Sequence, residues 1–137
     1  MNNRLIVLGD GRKLLVGSAK DSLTDLKALL GGNFSTMLPA FNCDENSYNE
    51  TIWNLVEAGC DEFCCFGPMS EELHDEIDWL LVDKGYIDVV TTWHNDVVEG
   101  CEYFAIAAGG GLNNLLCLAG DLTEITALLE RLSNEVE

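Results

Sequence analysis

Positive charge is what this chain has least of. Seven lysines and arginines stand against 24 aspartates and glutamates in 137 residues, a formal charge of −17. Such a surface repels phosphate backbones and anionic lipid, which excludes nucleic acid and membranes as partners. It attracts basic proteins over a Debye length of roughly 8 Å. Arg4, Arg12, Lys13, Lys20 and Lys27 crowd residues 1–27 beside only Asp10, Asp21 and Asp25, so that Lys84 and Arg131 alone face all the carboxylates after residue 28. Histidine is nearly absent too. With only His74 and His94, and no ligand spacing, no metal or other cofactor is expected. No C-x-x-C pair occurs, which removes a zinc ribbon and a thioredoxin-type couple, and no G-x-G-x-x-G or P-loop pattern follows an apolar run. The run Leu5–Leu8 is too short for a signal peptide, and Tyr103–Leu118 is broken by glycines and asparagines before it could span a bilayer. A cytoplasmic location is the expectation. Six cysteines (Cys43, Cys60, Cys64, Cys65, Cys101, Cys117) then read as reduced, mostly buried thiols.

What is present is apolar patterning. At 47% hydrophobic residues the chain can bury a core despite its charge, and its length suits a single domain, residues 1–137. Leu5–Leu8 and Lys13–Val16 are β-type runs around Gly9-Asp10-Gly11-Arg12, predicting a hairpin, with two strands of a longer connection as the alternative. Ser22 caps a helix through Leu30, residues 33–46 read as irregular with Met37–Phe41 as a short strand, and Ser47-Tyr48-Asn49-Glu50 is a capping box opening a helix to Gly59. Phe63–Phe66, bounded by Asp61-Glu62 and Gly67-Pro68, is a buried central strand. Leu73, Ile77, Leu80 and Leu81 repeat at helical spacing, Ile87–Thr92 is a β-branched strand, and Val97, Cys101, Phe104, Ala105 and Ala108 line the next helix. Leu115–Leu118 is the last strand, and Asp121 caps a helix striped by Ile125, Leu128, Leu129, Leu132 and Val136. The alternation predicts an α/β three-layer sandwich, its central sheet mostly parallel, with an N-terminal β-hairpin and flanking helices.

In such a sheet the loops leaving the strands' carboxyl ends converge. Ser70, Trp93, His94, Asp96 and Asp121 lie on those loops and form a candidate ligand cleft, with His94 as base or cation partner and Ser70 or Cys65 as nucleophile. Helix capping explains Ser70, Asp96 and Asp121 equally well, and an acidic setting works against a reactive Cys65 thiolate. His74, one turn before Asp78, reads as paired with a carboxylate. Trp79 is more telling. On a helical wheel it falls opposite the Leu73–Ile77–Leu81 stripe, among Glu72, Asp75 and Glu76, as an interface anchor with an acidic rim would. Trp53 is similarly off its stripe, and a loop could cover either ring.

Gly59-Cys60, Phe63-Cys64-Cys65-Phe66-Gly67, Asp75-Glu76-Ile77-Asp78-Trp79 and Thr91-Thr92-Trp93-His94-Asn95-Asp96 together resemble a family of small bacterial proteins of unknown function, marked by a Thr-Thr-Trp-His motif. The resemblance spans residues 58–104, leaves the first 46 residues outside, and implies an α/β domain without naming an activity.

Three functions compete. The favoured one is an acidic, non-enzymatic protein that neutralises or regulates a basic partner, such as a nuclease toxin met by its immunity protein or by another phosphate-surface mimic, through Glu72, Asp75, Glu76 and Trp79. The second is a small enzyme or ligand-binding domain using the cleft around His94 and Asp96. The third is a homodimer joined through helix 97–108, with Tyr103 and Ile106 off its core stripe.

Overall fold

A computed structural model describes residues 4–17, 30–41, 49–119 and 122–135. The Ser22 cap, the Ser47 capping box, Cys43, the Asp121 cap and Val136 lie outside the described residues. The strands are β1 (Arg4–Val7), β2 (Lys13–Val16), β3 (Phe34–Pro39), β4 (Cys60–Phe66), β5 (Val90–His94) and β6 (Asn114–Cys117). The helices are α1 (Asn49–Ala58), α2 (Ser70–Lys84), α3 (Val97–Ile106) and α4 (Thr123–Glu135).

Among the described residues these six strands form one sheet in the order β1-β2-β6-β3-β4-β5, antiparallel only between β1 and β2. The two opening runs are therefore a hairpin, closed by Leu8 N–H to Arg12 C=O at 2.8 Å and by Gly11, whose φ of 92° suits the turn. Helices α3 and α4 cover one face: Cys101, Phe104, Ala105, Ile125, Leu129 and Leu132 pack on Leu14, Met37, Cys64, Phe66 and Leu115. Helices α1 and α2 cover the other, where Ile52, Leu55, Leu73, Ile77 and Leu81 meet Phe34, Leu38, Phe63, Cys65 and Leu116. The result is the α/β sandwich that the alternation implied.

Residues 33–46 carry the main correction. The short strand expected at Met37–Phe41 is β3, which starts earlier, at Phe34, ends at Pro39, and sits in the middle of the sheet between β6 and β4. Its Ser35 and Thr36 are fully buried and find partners: Asn113 Nδ2 donates to Ser35 Oγ at 3.3 Å, and Thr36 Oγ1 lies 3.2 Å from Cys60 Sγ. Such bonds let polar residues occupy a central strand. The later strand also shifts, since Ile87 is exposed in a turn and pairing begins at Val90. From β3 the chain runs outward through β4 to β5, then returns to the opposite side of β3 as β6. The sheet's topological switch point thus lies between β3 and β6.

Candidate functional site

Helix α2 supplies the acidic face. Its stripe Leu73, Ile77, Leu81 is buried, which turns Glu72, Asp75, Asp78, Trp79, Val82 and Asp83 to solvent. Trp79 is 66% exposed and Val82 69%. A bare indole and isopropyl one turn apart, rimmed by carboxylates, form an apolar centre with an acidic border. Glu76 is half-buried at the margin of this face. The helix's single cation turns elsewhere, because Lys84 Nζ stands 5.7 Å from the centroid of the Trp53 ring. Trp53 itself packs against the α1/α2 core and Tyr86, so the two off-stripe tryptophans part company: one is half-buried, the other open. His74 pairs with a carboxylate, but its partner is Asp75 at 3.1 Å and not Asp78.

The strand-end residues divide. Ser70 is buried in the first turn of α2 and donates to Asn95 Oδ1 at 3.1 Å, tying two loops together instead of capping its helix. Asp96 caps α3, accepting from Val98 N–H at 2.9 Å. Trp93 pairs with Cys65 and leaves on the α1/α2 face, whereas His94 pairs with Phe66 and leaves on the α3/α4 face. The sheet therefore separates those two side chains. The ring of His94 stacks on Tyr103 with centroids 5.1 Å apart, and its buried Nδ1 has no hydrogen-bond partner among the described residues. Burial pushes the Cys65 thiol up to about 12, so it is protonated at neutral pH and a poor nucleophile. At the switch point itself a crevice of about 640 Å³ is lined by Phe41, Val97, Val98, Leu122, Ile125 and Leu128, with Thr123 and Glu124 at its polar side.

The structure adds a residue that sequence patterning passed over. Glu62, read as the boundary of a strand, lies inside β4 and is only 6% exposed. Alternation puts it on the face of Cys64 and Phe66, and that period-2 extension was the available signal. Its carboxylate accepts from Tyr103 Oη at 2.6 Å, Gly109 N–H at 2.8 Å and Thr92 Oγ1 at 3.4 Å. Gly109 has a φ of 64°, a conformation a side chain resists, and this aims its N–H at Glu62. The latch holds the end of α3 and the following glycine turn against the sheet. It also turns Tyr103 inward, away from the self-interface expected of that helix face, while Ile106 stays exposed. Burial, then the hydrogen bond to Glu62, pushes the Tyr103 phenol above its usual range, which keeps it a donor. On the neighbouring position, Asn113 Nδ2 donates to Asp61 Oδ1 at 2.7 Å.

Among the described residues no group of three or more His, Cys, Asp or Glu comes together to hold a metal, and no helix is long and apolar enough to cross a membrane. The fold and site define a class: a parallel α/β sandwich with an acidic helix face bearing an open tryptophan. The chain belongs to a family described as a domain of unknown function (DUF7684), whose model matches residues 18–135. That match reaches well beyond the segment of the resemblance and takes in the central strand. No curated protein and no solved structure matches the chain.

Proposed function

We propose that this is a non-enzymatic binding protein that neutralises or regulates a basic protein partner, as an immunity protein does for a nuclease toxin or as a phosphate mimic does for a nucleic-acid-binding surface. The observation supporting this reading is Trp79, two-thirds exposed at the centre of an α2 face bordered by Glu72, Asp75, Asp78 and Asp83. Carboxylates at that rim would meet lysines and arginines where the partner expects phosphates, speeding encounter and fixing register, while burial of the indole supplies affinity. The test is capture from a host extract on columns of wild type, Glu72→Lys/Asp75→Lys, Trp79→Ala and His94→Ala. A basic protein should be retained by wild type and by His94→Ala, be released by salt, and be lost from the charge-reversed column. Trp79→Ala should weaken it by about 2 kcal/mol, roughly 30-fold. Retention that ignores the charge reversal but vanishes with His94→Ala would hand the function to the strand ends. The crevice at the switch point favours that second reading, a small enzyme or ligand-binding domain, because ligands of parallel α/β sheets bind at that place.

A further inference from the structure

We infer that β5 is the edge on which the partner docks, and that its occupant is a lysine- or arginine-rich segment in extended conformation, added to the sheet as a seventh strand. The inference rests on the basic-partner reading and adds a place and a geometry to it.

Among the described residues strand β5 ends the sheet, with β4 as its one neighbour. Gly67 N–H donates to His94 C=O at 2.9 Å, so the backbone groups of His94 face β4. Successive residues of a strand point their N–H and C=O to opposite sides, which directs those of Thr91 and Trp93 outward. They meet no hydrogen-bonding partner among the described residues. Native edges are usually guarded by lysine, proline or a bulge. Val90-Thr91-Thr92-Trp93-His94 has none of these, its register with β4 is continuous, and Val90 and Trp93 are 53% and 38% exposed. The opposite edge is different: there Arg4 of β1 is ion-paired with Glu130.

Charge selects the occupant. Helix α2 packs on β5, Asp88 precedes it and Asp96, Glu99 and Glu102 follow it. From Gly67 to Gly111 the only lysine or arginine is Lys84, against Glu71, Glu72, Asp75, Glu76, Asp78, Asp83, Asp88 and those three later carboxylates. Two β5 edges paired in a symmetric dimer would bring these surpluses together, so like-charge repulsion disfavours a second copy. A basic strand is attracted instead. Its main chain would bond Thr91 and Trp93, alternate side chains would meet the acidic flanks, and the Trp93 ring would give it an apolar contact.

The test uses a hexapeptide alternating lysine and valine, its glutamate-for-lysine counterpart, and the full chain as wild type, Thr91→Pro and Thr91→Val. Proline removes one outward N–H at a position where an edge strand tolerates it, and Thr91 Oγ1 is buried without a partner, so valine is the matched control. The lysine peptide should bind, lose affinity with salt, and slow amide exchange at Thr91 and Trp93 by at least about tenfold. Thr91→Pro should weaken it about tenfold, the value of one good hydrogen bond, and Thr91→Val should bind as wild type. If Thr91→Pro fails to fold, the exchange pattern in wild type decides. Equal binding by a folded Thr91→Pro, or binding of the glutamate peptide, overturns the inference. A shift of the exposed Trp79 indole N–H signal on peptide binding without protection at Thr91 overturns the edge while leaving the basic-partner reading standing. A dimer whose Thr91 amide is protected without peptide puts a second copy on the edge and overturns the occupant.

Discussion

Removing the Tyr103 hydroxyl tests whether the buried Glu62 carboxylate is held by its donors. In Tyr103→Phe the ring stays, and with it the stacking on His94, while the carboxylate loses its shortest bond, 2.6 Å from the phenol oxygen. A hydrogen bond to a charged group is worth about 1.5–3 kcal/mol, and Glu62 is nearly sealed from water, so the upper half of that range applies: about 2–3 kcal/mol. Glu62→Gln keeps the shape and one oxygen. That oxygen can still accept from Gly109, and the Tyr103 hydroxyl can rotate to accept from the new amide, so the expected cost is about 1 kcal/mol. In the double variant the damage overlaps. It should fall short of the sum of the single changes by about 1–2 kcal/mol, within the range for contacting residues. Urea unfolding followed by far-UV circular dichroism measures all four proteins, with m-values compared to guard against a changed unfolded state. Additivity within 0.5 kcal/mol, or a Tyr103→Phe protein as stable as wild type, would refute the reasoning and leave Glu62 to be explained by something other than its donors.

Gly100 lets α3 lie close over β4 and β5: a Cβ there would come 2.9 Å from Phe66 Cβ and 3.4 Å from His94 Cβ. Alanine's better helix propensity returns about 1 kcal/mol, but overpacking against two strand side chains costs about 1–3, so Gly100→Ala should be destabilised in urea by about 1 kcal/mol and at most about 2. Burial pushes the thiols of Cys60, Cys65 and Cys101 from 9.0 up to about 12. A raised folded value means the native state holds the proton longer than the unfolded chain does. Their contribution is complete below pH 9 and is lost as pH climbs from 9 to 12, by about 1.4 kcal/mol per pH unit for each thiol. The urea midpoint should therefore be flat in these groups up to about pH 8.5 and then fall steeply, and a midpoint unchanged at pH 11 would contradict their burial.

Much of the framework was legible because it is written in periodicity. The stripes Leu73–Ile77–Leu81 and Ile125–Leu129–Leu132 are buried as spaced, and the hairpin, the parallel sheet and the flanking helices follow from the order of such segments. What escaped was decided by partners distant in sequence. Strand β3 was legible only from Met37 on, because its first half holds Ser35 and Thr36, residues that look like loop until Asn113 and Cys60 satisfy them. Glu62 looked like punctuation before an apolar run because its donors, Tyr103 and Gly109, lie more than forty residues on. Ser70 looked like a cap, yet its hydroxyl reaches Asn95 on the loop beyond the next strand.

The two tryptophans show the same principle at the candidate site. On their own helices Trp53 and Trp79 are alike, each off the apolar stripe and each beside carboxylates, so no wheel separates them. Trp53 is half-buried because Lys84 and Tyr86, from the end of α2 and the turn after it, come across to it. Lys84 lies five residues from Trp79, about 140° round the helix, and its ammonium stands by Trp53, so the exposed face around Trp79 keeps an acidic rim with no cation from its own helix. Substituting Lys84 with methionine would keep the stem on Trp53 and change the net charge from −17 to −18, yet it should leave partner affinity within about twofold, because the ammonium stands by Trp53 and away from the acidic face around Trp79. A large change in affinity would mean that the charge of Lys84 reaches the partner, and that the acidic face is not set by α2's own carboxylates.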